Sequence, residues 1–321
     1  MVAEAAKIKC PICQVSDYQE IRRGIRHFPN QPVYECSICG LQFLDPPAED
    51  VRDYYTSGEY RRMHSGGANH KNIFTAEGRF TQYRPFMAER RDDPHVEWKQ
   101  HYEVLDIGCS SGYFLDSLKG RVRHRLGLEW NPVDAAYANT VVAEAGQKAV
   151  DGRDISELSQ KPGFHVICAF HVLEHTADPL KFLIECRKRL KSEGHLYIDV
   201  PNLNDVMLTT IKPKQFSDFW YRAPHIWNFT RDTLFRLLVK AGLVGDIWST
   251  EEYSLANTLH WMKYGKPAAN PYEGRRVPRV DDDKPYAIEV NEFMQDADET
   301  WRRGIGLLGI GGRLRAWMTA I

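Results

Sequence analysis

The chain has 321 residues, a formal net charge of −1, 43% hydrophobic and 26% charged residues. This globular composition allows two or three domains with a sizeable core, and it excludes wholesale disorder and the basic excess of a general polyanion binder. No run of 18 apolar residues exists and residues 1–9 lack the apolar core of a signal peptide, so no membrane span is expected and the expected location is the cytoplasm.

Residues 1–47 read as a zinc ribbon. Four of the seven cysteines form two Cys-x-x-Cys pairs, Cys10 with Cys13 and Cys36 with Cys39. The odd total, with Cys109, Cys168 and Cys186 isolated, does not fit a disulfide framework. Two residues between paired thiols let both turn toward one point, and two such turns supply the four ligands of a structural Zn2+. A β-hairpin fills the gap between the pairs. Four cysteine ligands leave no open coordination position, so this metal is expected outside the chemistry. A redox reading would need one pair inside a βαβ unit.

Residues 48–95 form a Tyr- and Arg-rich, partly helical connecting cap segment, with a mobile loop expected around Gly66-Gly67. From 96 to 264 short apolar runs alternate with amphipathic segments of helix length. Strands are expected at 103–107, 125–129, 164–170, 194–200 and 243–248. Helices are expected at 112–118, 132–145, 178–190 and 230–241, with Pro132 and Pro179 near first turns and Gly242 past an end. Such alternation implies a parallel sheet with helices on both faces. Residues 265–285 suit a linker or surface loop. A helical C-terminal extension then runs to Arg303, where five glycines between 304 and 312 interrupt it.

The most informative segment runs from Val104 to Phe114, where a strand leads through Gly108-Cys109-Ser110-Ser111-Gly112 into a helix. Glycine lets the backbone turn tightly and touch a ligand. Glu129 ends the next strand, where nucleotide-binding α/β folds place the acid that takes ribose hydroxyls. The G-x-G-x-x-G of a dinucleotide site is absent, and Asp106 before the loop repels phosphate but attracts a cation. A ligand with a cationic amino group, a ribose and no phosphate fits, and S-adenosylmethionine has all three features.

Val104–Phe114 resembles motif I of class I S-adenosylmethionine-dependent methyltransferases. Residues 164–175, 194–202 and 224–243 resemble the family's later strand motifs in the same order. The ribbon, with Cys39-Gly-Leu-Gln-Phe-Leu-Asp-Pro-Pro47, resembles a bacterial subgroup that acts on sugars or cell-envelope precursors. The resemblance implies an α/β fold: a Rossmann-like seven-stranded methyltransferase sheet with helices on both faces, plus the N-terminal ribbon and the C-terminal extension. It implies that Asp106 and the Gly108–Cys109–Gly112 backbone hold the methionine moiety, that Glu129 binds the ribose, that Asp154 and Ile155 meet the adenine, and that Phe170 and His171 border the methyl. Ser110 departs from the family's usual glycine and stiffens the loop.

Methyl transfer to a hydroxyl benefits from a base with a pKa near neutrality, which favours histidine. The candidates are His171, His175 and His225, with Glu174 beside the first two. Tyr221 and Arg222 are candidate substrate ligands. Trp220, Tyr221 and Trp227 fit core or domain packing, with stacking against a sugar ring as the alternative. The expected reaction is O-methylation of a small-molecule or glycan acceptor, such as a sugar or nucleotide-sugar. A methyltransferase whose ribbon grips RNA or protein, and a non-catalytic scaffold, stay open as alternatives. For the tail, packing on the core, packing on a second subunit and peripheral membrane contact near Arg313 and Arg315 all stay open.

Overall fold

The computed structural model describes residues 8–44, 51–59, 84–142, 150–159, 163–268 and 271–321. The ribbon boundary expected at residue 47 and the loop around Gly66-Gly67 lie outside these residues. The strands are β1 (Tyr18–Ile25), β2 (Phe28–Cys36), β3 (Gln42–Leu44), β4 (Glu103–Ile107), β5 (His124–Leu128), β6 (Val150–Asp151), β7 (Phe164–Phe170), β8 (Leu190–Pro201), β9 (Trp227–Asn228), β10 (Leu243–Thr250) and β11 (Arg313–Ala320). The helices are α1 (Val51–Thr56), α2 (Arg84–Arg91), α3 (Tyr113–Ser117), α4 (Pro132–Val142), α5 (Pro179–Arg189), α6 (Phe216–Trp220), α7 (Arg231–Lys240), α8 (Leu255–Tyr264), α9 (Pro271–Arg275) and α10 (Ala287–Leu307).

The chain divides into two compact units. One comprises Met1–Asp45, Val200–Phe235 and Ile247–Arg315; the other comprises Pro46–Asp199, Arg236–Asp246 and Ala316–Ile321. We call them the ribbon unit and the cofactor unit.

The cofactor unit is built on a sheet of order β10–β11–β8–β7–β4–β5–β6. β4 runs parallel to β5 and β7, β5 to β6, and β7 to β8. Val104, Leu105, Val166, Ile167, Leu196 and Ile198 are buried. Such near-continuous apolar runs belong to parallel strands covered on both faces. Each fully buried Leu or Ile here contributes roughly 1.5–3 kcal/mol. Asp178 caps α5 by accepting from the Lys181 N–H, with Pro179 just inside the start. Local chemistry and burial therefore specify the same βα alternation.

The C-terminal segment departs from the expected helix-then-break. α10 continues through Gly304 and Gly306 to Leu307, and β11 then enters the sheet between β10 and β8. The Thr319 hydroxyl donates to the Gly194 carbonyl, and the Asn202 N–H donates to the Gly312 carbonyl. Numbers that rise on one strand as they fall on the other mean that β11 runs antiparallel to β8. The sheet is therefore mixed rather than all parallel. The glycines mark close backbone approaches. A Cβ at Gly311 would lie 2.5 Å from the Thr250 carbonyl oxygen, one at Gly306 2.9 Å from that of Ser249, and one at Gly245 2.1 Å from that of Trp317. Residues 265–285 are not a plain linker either, since they contain α9, whose Gly274 carbonyl receives the Ser254 N–H. Arg313 pairs with Glu252 and Arg315 is buried, so neither presents a charge to a membrane surface.

Gly245→Ala is expected to lower stability by about 1–3 kcal/mol, because the clash is with backbone that has no room to yield. Gly304→Ala, which meets nothing within 4 Å, is expected to raise it by roughly 0.5–1 kcal/mol. Urea unfolding of the two variants checks both signs.

Candidate active site

Three loops at the carboxyl ends of β4, β5 and β7 build the site. After β4 the chain turns at Gly108 (φ 69°) and Gly112 (φ 75°). A Cβ at Gly108 would lie 2.7 Å from Val172 Cγ2, and one at Gly112 2.6 Å from Val142 Cγ2. Glycine is thus required both for the turn and for the packing beneath it. Ser110 also takes a left-handed conformation (φ 48°), which costs a non-glycine residue roughly 1–2 kcal/mol. Its N–H donates to Glu129 Oε2 at 2.9 Å, and the Asn131 N–H donates to Glu129 Oε1 at 2.8 Å. Backbone from two loops therefore fixes the carboxylate that follows β5.

Asp106 is 3% exposed. Burial pushes its pKa up to about 8, the Arg90 charge works against that shift, and the Glu129 charge adds to it. A buried acid beside a glycine loop, with an ionised form that lacks compensation, suits a cationic ligand. The Cys109 Sγ lies 2.6 Å from where a Cβ on Gly127 would fall, and its side chain packs with Leu115, Ala138 and Val142. Only its backbone belongs to the loop.

Beyond Glu129, a depression of about 370 Å³ is lined by Trp130, Pro132, Ala135 and Gly152 among others. α1 supplies a rim that the sequence did not announce. Arg52 donates to the Gly152 carbonyl, pairs with Glu157 at 3.2 Å and lies over the Trp130 ring. Tyr55 stands edge-on to Trp130 and His175. Asp154 accepts from the N–H and hydroxyl of Ser156 and caps a short 3₁₀ turn over Ile155–Glu157, where Ile155 is buried. Its cap role is thus visible, completed by the Glu157 side chain accepting from the Asp154 N–H.

At the end of β7, Phe170 meets Phe114 and Tyr197 edge-on, with the Arg90 guanidinium over its ring. Arg90 Nε donates to Asp199 Oδ2 at 3.0 Å, and both side chains are buried. Removing one partner of such a pair costs about 3–5 kcal/mol. His171 follows with φ 57°, its N–H on the Asp199 carbonyl. Its Nδ1 lies 2.9 Å from Glu174 Oε1, and its Nε2 lies 3.8 Å from Asp199 Oδ1. With Glu174 ionised and so only accepting, Nδ1 would carry the hydrogen and Nε2 would be the nitrogen left to take a proton. His175 Nε2 lies 3.8 Å from the same Glu174 oxygen. The two histidines therefore share one fully buried acid. Arg90 and Asp199 were missed at sequence level, although a lone acid inside the apolar β8 run was a signal for the second.

His225 belongs to the ribbon unit. It is buried, and its Nε2 accepts from Arg222 Nε at 3.0 Å. That bond already engages its acceptor nitrogen, which weakens its case as a base. Tyr221 and Trp227 are also buried there, Tyr221 donating to Gln42 Oε1 and Trp227 packing on Phe43. They do not form a stacking platform for a sugar. The ligand atoms of Cys10, Cys13, Cys36 and Cys39 all lie within 4.8 Å of one another. The two pairs repeat one turn: Gln14 and Gly40 have positive φ, and their N–H groups donate to the carbonyls of Cys10 and Cys36. Burial pushes the Cys10 and Cys39 thiols up from their ordinary range. Four converging sulfurs in duplicated turns suit a tetrahedral cation.

Residues 75–246 match the family model of the methyltransferase domain. The chain belongs to this methyltransferase-domain family. It is 32% identical over 151 residues to a ubiquinone biosynthesis O-methyltransferase of Cereibacter sphaeroides, covering 44% of this chain and 59% of that protein. It is 25% identical over 190 residues to a tRNA U34 carboxymethyltransferase of Shewanella piezotolerans, covering 57% of each. The chain thus spans little more than half the length of these curated relatives. A solved methyltransferase structure from Archaeoglobus fulgidus aligns with TM-score 0.45 and 18% identity, over 74% of this chain and 94% of that one.

Asp106→Asn is expected to stabilise the ligand-free protein, by an amount that grows from pH 4 to pH 8. The folded carboxyl holds its proton to about 8, whereas the free side chain loses it near 3.8. Wild type therefore loses stability as pH rises through that window, and the amide does not. Denaturant midpoints of both proteins at pH 5, 7 and 8.5 measure this, and a pH-independent difference contradicts it.

Proposed function

We propose that this chain transfers a methyl group from S-adenosylmethionine to a hydroxyl of a small-molecule acceptor, with His171 as the base. The observation that carries this reading is the pairing of a backbone-locked Glu129 and buried Asp106 with an oriented His171–Glu174 dyad at neighbouring strand ends. When bound, S-adenosylmethionine supplies a methyl group on sulfur already activated for in-line displacement. The chain's residues then have separate tasks. Glu129 accepts from the ribose hydroxyls. Asp106 and the Gly108–Gly112 backbone hold the cationic methionine end. Asp154–Ile155 and Trp130 border the adenine. Phe170 and its aromatic neighbours exclude water, and His171 Nε2 takes the acceptor's proton while Glu174 fixes the ring, the arrangement used by general-base dyads.

Oxygen as the receiving atom is supported by the O-methyltransferase relative. A sugar or glycan is the acceptor class implied by the ribbon's resemblance to its subgroup. A structural Zn2+ held by Cys10, Cys13, Cys36 and Cys39 is part of the same proposal, supported by the converging sulfurs and the duplicated turns. A second reading, methylation of an RNA, is favoured by the tRNA-modifying relative.

Titration of S-adenosylhomocysteine by calorimetry tests the cofactor half. Binding is expected for wild type and not for the Asp106→Ala, Glu129→Ala double variant. A screen of sugars, nucleotide-sugars and phenols with labelled cofactor tests the acceptor. His171→Gln is expected to lower turnover about 10²–10⁴-fold with S-adenosylhomocysteine affinity unchanged. Label that appears only on unmodified tRNA, and fades with rising salt, replaces the small-molecule reading.

A further inference from the structure

The sheet of the ribbon unit does not end with the cysteine module. β1 pairs with β2 and β2 with β3, and β9, from far along the chain, completes the order β1–β2–β3–β9. Gln42 opposes Asn228, Phe43 opposes Trp227, and the Leu44 N–H donates to the Ile226 carbonyl at 2.8 Å. At the other edge the Arg26 N–H donates to the Tyr221 carbonyl at 2.8 Å. Side chains repeat the grip. Arg22 pairs with Asp218 at 2.5 Å and lies over the Tyr221 ring, Arg26 lies over Phe219, and the Tyr221 hydroxyl donates to Gln42 Oε1 at 2.6 Å. Ile25, Val33, Leu44, Leu203 and Tyr221 close an apolar seam beneath these bonds.

Residues 216–228 have little of their own to hold them. Their helix has five residues and their strand two, and elements so short are unstable without tertiary partners. The segment's C-terminal part, from Tyr221 to Asn228, is held by β1 and β3, while Phe216 and Phe219 also pack on Trp261. The hairpin is in turn marginal alone, and its open end is pinned at the cysteines. Tyr18 opposes Cys36, the Ser37 N–H donates to the Asp17 carbonyl, and the Cys36 N–H to that of Leu41. The mechanical path runs from the cysteine cluster through β2 and β3 to the segment that contains His225.

We propose that the cysteine module is a metal-dependent clamp: filling the Cys10/Cys13/Cys36/Cys39 site fixes the conformation of residues 216–228, with Arg22 and Gln42 as positioning residues. The inference rests on reading the cluster as a zinc site. It makes the ribbon a part of the enzyme's own architecture.

Hydrogen exchange by mass spectrometry on the full chain tests it, with zinc counted by atomic emission and S-adenosylhomocysteine affinity measured alongside. On chelation, protection over 216–228 is expected to fall on the order of tenfold or more, while peptides over 104–129 and the cofactor affinity hold. Arg22→Met and Gln42→Leu are expected to keep their zinc yet exchange faster over 216–228, and Arg22→Lys to restore protection. Loss of protection over residues 8–44 alone overturns the clamp and leaves the zinc reading standing. Equal loss over 104–129 overturns it as well, and so do clamp variants that exchange like wild type. Protein that carries no zinc and gains no protection when zinc is added overturns the zinc reading and the clamp together.

Discussion

The Glu129 carboxylate accepts two backbone N–H groups, one from each loop that borders it, and the cofactor loop depends on that bidentate lock. The Ser110 N–H reaches Glu129 only because Ser110 adopts a left-handed conformation that glycine would take more readily. A charge-assisted hydrogen bond contributes about 1.5–3 kcal/mol net, which is enough to offset the strain of one such residue. The loop therefore keeps its shape without its usual central glycine. The exchange also binds β4 to β5 at the end where ligands enter open α/β sheets.

The remaining charges at that end are arranged by the same economy of partners. Asp199 is answered by Arg90, and Glu174 lies between His171 and His175. Asp106 is answered only at a distance, and burial therefore dominates its ionisation. Asp106 stands beside the glycine loop, where a cationic ligand would add a closer countercharge than Arg90.

Much of this was legible in the sequence. The βα alternation, the Gly108–Gly112 turn and the acid after β5 follow from short-range patterns, because each is set by residues close together in the chain. The four cysteines announced their own convergence. What the sequence hid was long-range. Arg90 reaches Asp199 across more than a hundred residues, and nothing in its Arg-rich surroundings distinguishes it from solvated neighbours. The glycines between 304 and 312 carry two meanings that sequence alone does not separate. A glycine that breaks a helix and a glycine that admits a neighbouring carbonyl look identical until the second strand is known. Reading them as breakers concealed β11 and made a mixed sheet look parallel.

The aromatic cluster teaches the same distinction between composition and placement. Trp220, Tyr221 and Trp227 left both core packing and a sugar platform open, because aromatic faces pack in cores and also stack on sugar rings. Tyr221 and Trp227 are buried against Gln42 and Phe43 of the N-terminal hairpin. Their rings serve attachment, and their sequence position, so far from the cysteines, reflects a sheet whose last strand comes from the middle of the chain. Here the hairpin's apolar seam and two of its arginines are committed to residues 216–228. This face of the hairpin is therefore covered from within the chain, by a segment about two hundred residues away in sequence.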